Sequence, residues 1–510
     1  MISIAGDAPF IIALANNRDM HILQEGENVS ATPETLQKLV ILHTNDLHSH
    51  FEPMPRIAAY IDQHRQLLGN DELLVIDCGD HMDRAFLETE GSDGQANIAV
   101  MNATGYDIAV PGNNEGLTFT VETLQKLYGE LADFPVVGSN MFLKDSGELP
   151  PWLQPYQIVK RGKLNIGIIG VTINYPIVYE LLGWDVRDPF EIVARHVAQL
   201  RPSVHILIVV SHLGLNNDKR MAQEIPGIDL ILGGHSHHLL EEPLMIGDTT
   251  LCAAGKFGSH IGKVELLYDH SAGRIAERSG GCVQTEHLPA SSEIISIIHH
   301  YRLISDKNMR QVVTTIDEEL DISWNQESRL GNLLADGLRT WCGADIGIVN
   351  AGQLLGKLEA GAVTRKILHE ICPSPINPCR MILSGAEIRE ALEQSLLADY
   401  QDKPIRGYGF RGLVLGTLCV SGMTIEADAR GPEMHKISHI RIGDRELTDD
   451  QKVVVGTIDM FTFGIGYLSL SRGRDIEYFL PEFLRDVLLH QLMDAERIAL
   501  SSRRNWILRN

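Results

Sequence analysis

Seven side chains that bind metals well recur through the first half of the sequence. Each directly follows an apolar run, in the segments TNDLHSH, DCGDH, GNNE, SHLG and GGHSHH: Asp46, His48, Asp80, Asn113, His212, His235 and His237. Mixed carboxylate and imidazole donors suit Mn, Fe, Zn or Co better than Ca or Mg. The pattern therefore predicts a centre that holds two divalent metal ions of this group.

Asp80 is the expected bridging ligand, because each of its two carboxylate oxygens can bind one ion. The other donors divide into two predicted sets: Asp46, His48 and His237 at one ion, and Asn113, His212 and His235 at the other. Two divalent ions about 3.5–4 Å apart can hold a nucleophilic hydroxide and stabilise a phosphoryl group during in-line displacement. The predicted chemistry is hydrolysis at phosphorus.

Each short motif also has a plainer interpretation when it is taken alone. A single D-x-H or G-H-x-H segment is a weak signal, and a histidine at a strand end is more often a hydrogen-bonded structural residue. The ordered occurrence of all the motifs favours the metal centre. The flanking histidines are interpreted as structural or solvated: His43, His50, His81 and His238. Cys78 is interpreted as a small buried residue.

The elements that position these donors are expected to be strands of an α/β fold. Apolar runs such as LLVIDCGD, LNIGIIGVT and VHILIVVSHLG alternate with helix-like stretches such as RIAAYIDQHRQLL. Continuous β-branched runs between helices predict buried strands joined by crossovers. Ligands of such sheets bind at the strand ends, where the donors stand. The segment 246–285 instead indicates antiparallel strands.

The length of 510 residues predicts more than one domain. We divide the chain into an N-terminal extension (1–38), a first α/β domain (39–290), a linker helix (291–311) and a second α/β or α+β unit (312–510). The linker is predicted from the helical stretch SSEIISIIHHYRLISDKNMRQ. The role of the extension is left open.

The composition excludes several classes of partner. Lys and Arg number 44 against 67 Asp and Glu, a net charge of −23, which argues against nucleic-acid binding. No apolar run approaches the length of a membrane span. The seven cysteines form no CxxC pair. The first residues, MISIAGDAPFIIALANN, lack the positive charge of a signal peptide, so a cytoplasmic location is predicted.

The motifs together resemble a known family. The run ILHTNDLH, DCGD, GNNE, SHLG and GGHSHH is similar to the calcineurin-like metallophosphoesterase domain of the 5′-nucleotidase family. ESRLGNLLAD, NAG, LSGAEIREALE and VVVGTIDM are similar to the C-terminal substrate domain of that family. The resemblance covers about residues 39–470.

This resemblance implies a fold, an activity and a ligand set. The fold is a four-layer α/β/β/α metallophosphoesterase domain joined by a helix to a smaller α/β (α+β) substrate domain. The activity is hydrolysis of nucleoside monophosphates and related phosphoesters or pyrophosphates, so the expected partner is a small phosphorylated, nucleotide-like molecule. All seven donors named above fall on metal ligands of the family.

One turn departs from the family pattern Gly-Asn-His-Glu-Phe-Asp, in which the His and the Asp form a dyad that helps the leaving group depart. These two positions are Asn114 and Leu117 here. Asn114 is predicted to orient the phosphoryl group by a hydrogen bond, but it cannot deliver a proton. Loss of a general acid costs about 10²–10⁴-fold. The expected substrates therefore shift toward anhydrides and activated esters.

The phosphate clamp of the substrate domain is also altered. The segment NAGQLL keeps Asn350 and Gly352, both predicted to bind substrate, but it has Leu355 at the arginine position, and a second arginine is replaced by Gln326. An arginine fork pairs with phosphate through two hydrogen bonds. Four arginines are candidate replacements: Arg365, Arg380, Arg406 and Arg411.

The aromatic pair that would sandwich a base is the least certain part of the pattern. Thr417 stands where the first ring is expected, with Phe410 as the nearest substitute. Phe461 or Phe463 is the candidate second ring, and Ile465 replaces an expected aspartate. The alternative interpretation is that these aromatic side chains belong to the core.

The leading hypothesis is a two-metal phosphohydrolase that acts on nucleotide-like phosphoesters. One alternative is a pyrophosphatase or phosphodiesterase acting on nucleotide-sugars or other anhydrides. The other is a metal-bearing binding protein with weak catalysis. The sequence does not distinguish the physiological substrate, the metals or the oligomeric state.

Overall fold

The structure, a computed structural model, describes residues 35–509. The predicted extension 1–38 lies almost wholly outside these residues, and so does the segment interpreted as lacking a signal peptide. Within residues 35–509, no helix is both long enough and apolar enough to cross a membrane.

The first half of the described chain alternates strands with helices. The strands are β1 (Leu36–Thr44), β2 (Leu73–Asp77), β3 (Ile108–Ala109), β4 (Val136–Val137), β5 (Met141–Leu143), β6 (Leu153–Gln154), β7 (Gln157–Arg161), β8 (Leu164–Thr172), β9 (Trp184–Val186), β10 (Ile206–His212), β11 (Leu230–Gly233), β12 (Leu244–Ile246), β13 (Thr249–Cys252), β14 (His260–Asp269) and β15 (Arg274–Gln284). The helices are α1 (Met54–Leu68), α2 (Leu87–Ser92), α3 (Gln95–Thr104), α4 (Asn113–Thr118), α5 (Val121–Lys126), α6 (Pro176–Leu181), α7 (Pro189–Leu200), α8 (Leu215–Glu224) and α9 (Ser292–Met309).

Two sheets face each other in this half. One has the order β15-β14-β1-β2-β3-β4-β6 and the other β12-β13-β11-β10-β8-β7. Fully buried side chains from both sheets, among them Ile41, Ile76, Ile168 and Ile208, form the core between them. Helices α1 and α3 pack on the outer face of the first sheet, and α7 and α8 pack on the second. The four-layer α/β/β/α fold is therefore confirmed.

The pairing of the strands explains why the donors meet. Strands β1, β2 and β3 are mutually parallel neighbours, and β10 is parallel to both β8 and β11. Parallel neighbours end at the same edge of a sheet, so the loops after β1, β2, β3, β10 and β11 converge. Within the segment 246–285, β14 and β15 are antiparallel as predicted, whereas β13 pairs in parallel with β11.

Helix α9 occupies the segment predicted to be the linker, and it packs along the first domain. Its side chains Ile294, Ile297 and Tyr301 join the core beneath α1 and α3. It also approaches α2 closely, because a Cβ atom at Gly91 would lie only 2.6 Å from Cβ of Ser305. Ser305 Oγ donates a hydrogen bond of 3.0 Å to the carbonyl of Glu88. The linker helix is thus fixed against the first domain.

The second half is an α+β unit with its own core. Its strands are β16 (Val312–Ile316), β17 (Ile346–Asn350), β18 (Gly361–Thr364), β19 (Pro378–Ser384), β20 (Leu418–Ser421), β21 (Met423–Asp428), β22 (Ile437–Ile442), β23 (Arg445–Glu446), β24 (Lys452–Ile458), β25 (Arg474–Tyr478) and β26 (Trp506–Arg509). Its helices are α10 (Arg329–Trp341), α11 (Arg365–Ile371), α12 (Gly385–Gln394), α13 (Ala398–Gln401), α14 (Asp459–Thr462), α15 (Leu484–Leu492) and α16 (Ala495–Leu500). The main sheet has the order β20-β17-β24-β19-β25, and a second sheet has the order β23-β22-β21-β26. The domain boundaries given above stay a prediction.

Candidate metal centre

The converging loops form two overlapping groups of donor atoms. The first contains Asp46, His48 and His237, and the second contains Asp46, Asp80 and His212. In each group the donor atoms lie within 4.8 Å of one another. Nε2 of His48 lies 3.1 Å from Nε2 of His237, and Nε2 of His212 lies 3.3 Å from a carboxylate oxygen of Asp80. Asp46 therefore belongs to both groups, which was not predicted.

The surroundings of His212 indicate that the donor set can bind metal. Nε2 of the fully buried His212 has no hydrogen-bond partner. Its Nδ1–H instead donates to the carbonyl of Cys78 at 2.8 Å, which leaves Nε2 directed at the carboxylates of Asp46 and Asp80. A buried imidazole nitrogen that faces carboxylates and is oriented from its other side is typical of a metal ligand. The residues present fit divalent metal ions.

Asn113 and His235 stand beside these two groups. Nδ1 of His235 lies 2.7 Å from Oδ1 of Asn113, and the backbone N–H of His235 is 3.0 Å from Asp46. On its outer side, Nε2 of His235 is 3.2 Å from the hydroxyl of Tyr175. The structure thus brings all seven predicted ligands to one place, with the Asn113 and His235 side chains paired to each other.

The backbone around the ligands is strained. Five of the seven have a left-handed φ: Asp46 (52°), His48 (47°), Asp80 (53°), His235 (71°) and His237 (58°). Such conformations are uncommon for residues other than glycine and concentrate at functional sites. Gly112 is required for a different reason, since a Cβ atom there would lie 2.1 Å from Oδ1 of Asp80.

Glu115 joins two of the ligand loops, and the sequence analysis missed it. The buried carboxylate accepts backbone N–H groups of Asp80 at 3.1 Å, Met82 at 2.9 Å and Gly112 at 2.8 Å. Burial raises the pKa of Glu115 to about 8, although the Met82 N–H opposes the rise. The sequence signal that could have identified Glu115 is its position two residues after Asn113, in the same turn.

The charges of the centre depend on one another. Burial lowers the pKa of His212, but the charge and hydrogen bond of Asp80, the charge of Asp46 and the Cys78 carbonyl together raise that pKa to about 10. The pKa of Asp80 is in turn held below its usual range, because His212 outweighs the effect of burial. Metal binding requires the neutral imidazole, so an ion that binds here displaces the His212 proton.

The Asn114 side chain lies against a predicted metal ligand. Its Nδ2 is 2.9 Å from Nδ1 of His48 and 3.2 Å from the carbonyl of Met82. The predicted hydrogen bond from Asn114 to a phosphoryl oxygen stays a prediction. The side chain of Leu117 packs against the hydrophobic core beside α1 and α3.

Asn350 and Gly352, both predicted to bind substrate, have structural roles instead. Asn350 is fully buried, donates to the carbonyl of Leu415 at 2.7 Å and accepts from Gln353 at 3.0 Å. A Cβ atom at Gly352 would lie 1.9 Å from the carbonyl oxygen of Val414. These residues join two loops, and the side chain of Asn350 is buried within the second domain.

The predicted aromatic residues also need correction. Phe410 is 4% exposed and Phe461 is 0% exposed, because both belong to the core of the second domain. Phe463, the alternative to Phe461, is exposed. It stacks on Tyr408, with ring centroids 6.2 Å apart and planes at 28°. Tyr408 was missed, although its position between two glycines marks an exposed turn.

One of the four candidate arginines reaches the metal centre. The Arg411 guanidinium donates to the carboxylate of Asp83, and that carboxylate lies 3.8 Å from Nδ1 of His48. Arg380 pairs with Glu477 of its own domain. Arg365 and Arg406 are exposed on the surface.

Comparison with known proteins extends these observations. The family described as calcineurin-like phosphoesterase matches residues 39–239, and the family described as 5′-nucleotidase, C-terminal domain matches residues 312–467. The chain is 37% identical over 462 residues to the Bacillus subtilis protein named "Uncharacterized metallophosphoesterase YunD", covering 89% of this chain and 99% of that protein. The chain belongs to the 5′-nucleotidase family. It is accordingly a metal-dependent phosphoester hydrolase.

Solved structures of the 5′-nucleotidase family share the fold at lower identity. A 5′-nucleotidase precursor from Thermus thermophilus is 22% identical with a TM-score of 0.58, covering 93% of this chain and 100% of its own. The NAD nucleotidase of Haemophilus influenzae is 16% identical with a TM-score of 0.64, covering 93% and 98%. Calcineurin-like phosphoesterases use divalent metals, and the two donor groups described above are the candidate residues for them.

Proposed function

We propose that the protein is a two-metal phosphohydrolase that acts on nucleotide-like phosphoesters. The observation that carries the proposal is the position of Arg411, an arginine of the second domain beside a donor group of the first. Metal ions bound by the seven donors would supply a Lewis acid and an activated water. Asp80 and Asp46, which face more than one imidazole each, are the residues suited to bridge two ions.

Arg411 is proposed to bind the phosphate of the substrate. Its guanidinium uses one N–H on Asp83 and another on the carbonyl of Phe410, at 3.3 Å in the second case. A guanidinium has five N–H groups, so three remain for an anion. Arg411 would thus replace the clamp arginines that are absent at Leu355 and Gln326.

The exposed rings near Arg411 are proposed to bind a flat organic group. Tyr408 and Phe463 present aromatic faces to solvent. Tyr175 of the first domain is a further exposed ring at the metal centre, with its hydroxyl 3.2 Å from Nε2 of His235. Aromatic faces stack well on nucleobases. A base next to the phosphate would account for the rings, and several relatives are named 5′-nucleotidases.

A second candidate activity is hydrolysis of pyrophosphate bonds. The observation that favours it is the Asn114 amide, which contacts His48 where the family has a histidine acid. Without that acid, a phosphate leaving group departs far more readily than an alkoxide. One relative of this fold is named an NAD nucleotidase.

The first experiment incubates the Mn²⁺-reconstituted protein with AMP, UMP, UDP-glucose, a cyclic nucleotide or an activated aryl phosphate, and measures both inorganic phosphate and the organic products (nucleoside, UMP with glucose 1-phosphate, nucleoside monophosphate or phenol) by chromatography. The variant Asp80→Asn is the control for contaminating phosphatase. Turnover of AMP that the control lacks supports the leading proposal. Turnover of only UDP-glucose or the aryl ester supports the second candidate. No release from any substrate, with metal bound, would favour the weakly catalytic binding protein and contradict both.

A second experiment tests Arg411 itself. Arg411→Gln should raise KM about tenfold with a smaller change in kcat, because a charged hydrogen bond to phosphate is lost. Arg406→Gln removes an exposed arginine of the same loop and is the matched control. Equal kinetics of the two variants would remove Arg411 from the binding site.

The cytoplasmic location stays a prediction. All seven cysteines are free, which supports a reducing environment. A part in nucleotide breakdown follows only if AMP or UMP is a substrate.

A further inference from the structure

A second set of contacts joins the two domains beside α2. Its members, which we call the interdomain cluster, are Arg84 and Glu90 of the first domain and His369, Phe483 and Arg485 of the second. Nη2 of Arg485 lies 3.0 Å from Oε2 of Glu90, and Nε of Arg84 donates to the same oxygen at 2.7 Å. One carboxylate thus binds guanidinium groups from both domains.

The aromatic ring of the cluster lies beside both arginines. The guanidinium carbon of Arg485 lies 4.6 Å from the Phe483 ring centroid, and that of Arg84 lies 5.6 Å from it. Each cation therefore contacts both the carboxylate and a ring face, which favours one mutual orientation of the groups.

These charges are removed from water. The side chain of Arg485 is 7% exposed and that of Glu90 is 14% exposed. Burial alone would raise the pKa of Glu90, but Arg485 and Arg84 outweigh it and hold that pKa at about 2. A buried charge without its partner is strongly unfavourable. A relative movement of the domains would break this ion pair between them, so the cluster favours one arrangement of the domains.

The cluster is continuous with the metal centre along the chain. Arg84 directly follows Asp83, the partner of Arg411. Nε2–H of His369 donates to the carbonyl of Arg84 at 2.9 Å. The segment 80–90 thus carries a metal ligand, the carboxylate that orients Arg411 and the carboxylate that binds Arg485.

We propose that Arg485 is a positioning residue: through Glu90 it fixes the second domain so that Arg411 stays at the metal centre. The inference rests on the proposed phosphate-binding function of Arg411. On this proposal, the buried ion pair of Arg485 and Glu90 controls the affinity for substrate although it does not contact the substrate.

The test combines a distance measurement with kinetics. Spin labels are attached at Leu67→Cys and Met493→Cys, which are 72% and 68% exposed on the two domains, in a Cys282→Ser background. Arg485→Met should broaden the distribution of label distances and raise KM about tenfold with kcat within threefold. Arg485→Lys should restore part of both effects, because it keeps the charge. Arg472→Met, which breaks an exposed pair with Glu390 within the second domain, should change neither.

Three results would overturn the inference. They are an unchanged distance distribution in Arg485→Met, a broadened distribution with an unchanged KM, and equal losses in Arg485→Lys and Arg485→Met. If Arg485→Met does not fold, Glu90→Gln is measured in its place with the same expectations. A wild-type protein that hydrolyses none of the substrates overturns the proposed function, whereas the distance distributions still decide the role of Arg485.

Discussion

At position 114 the side chain keeps a contact with the metal centre but cannot act as a general acid. Asn114 contacts His48 at 2.9 Å, so the substitution keeps a hydrogen-bonding side chain against a predicted ligand. What it removes is a group that can give a proton to the leaving oxygen. At the scale of single residues, this site retains the donors of a phosphoesterase and lacks the acid.

Asn114→His should therefore raise the turnover of AMP about tenfold or more, because it restores a general acid. Asn114→Ala removes the contact with His48 without adding an acid, and it should not raise turnover. Initial rates with AMP and an activated aryl phosphate check the expectation. A similar gain on both substrates would contradict it, since the aryl ester needs little protonation.

The seven predicted ligands could be singled out because their chemical type and their order are local properties of the sequence. The structural role of Asn350 was not predictable, since its hydrogen bonds to Leu415 and Gln353 depend on how two distant loops meet. Phe461 and Phe463 are two residues apart at the end of α14, and the sequence does not show which of the two side chains is buried and which is exposed. The glycines on both sides of Tyr408 indicate an exposed turn, but its stacking on Phe463 is a contact between distant segments that the sequence does not show.

At the scale of elements, the centre depends on two loops being joined by one carboxylate. Glu115 on α4 accepts N–H groups from the loop after β2 and from the turn after β3. The alternation of buried strands and helices was readable from apolar periodicity, whereas the four-layer arrangement followed from the family resemblance. The link that Glu115 makes between the two loops was not readable from the sequence, because the groups it binds are backbone N–H groups, which do not depend on residue type.

Glu115→Gln should weaken Mn²⁺ binding about 10–100-fold with little loss of secondary structure, because an amide NH₂ would face a backbone N–H. Titration calorimetry measures the affinity, and circular dichroism measures the fold. Glu122→Gln, on the exposed face of the following helix, is the matched control. Equal affinities in the two variants would show that Glu115 does not support the ligand loops.

At the scale of the whole molecule, the linker helix and the interdomain cluster act together. Helix α9 is fixed on the first domain through Ser305 and Ile294, and Glu90 binds an arginine of the second domain. The sequence predicted a helix between two domains, but its pattern gives no information about which charges the domains bury against each other.

Glu90 should make the stability of the protein depend on acid pH. Its pKa of about 2 in the folded protein lies below the ordinary value near 4.5. A depressed carboxyl pKa stabilises the fold above the ordinary value, and the contribution of about 3 kcal/mol is lost as the pH falls from about 5 toward 2. Denaturant unfolding of the wild type and Glu90→Gln at pH 7, 5, 4 and 3 should show a shrinking difference. A constant difference would contradict the assigned charge pair.

The left-handed backbone of the ligand loops has a consequence for the lifetime of the protein in a cell. Such a conformation costs about 1–2 kcal/mol in a residue other than glycine, and five ligands adopt it. An ion that binds only the folded chain offsets this by mass action, and marginal folds are removed by proteases. We therefore expect metal starvation to shorten the half-life of the protein, so that its abundance follows the supply of divalent metal. Pulse-chase measurement with and without a chelator would show this, and equal half-lives would contradict it.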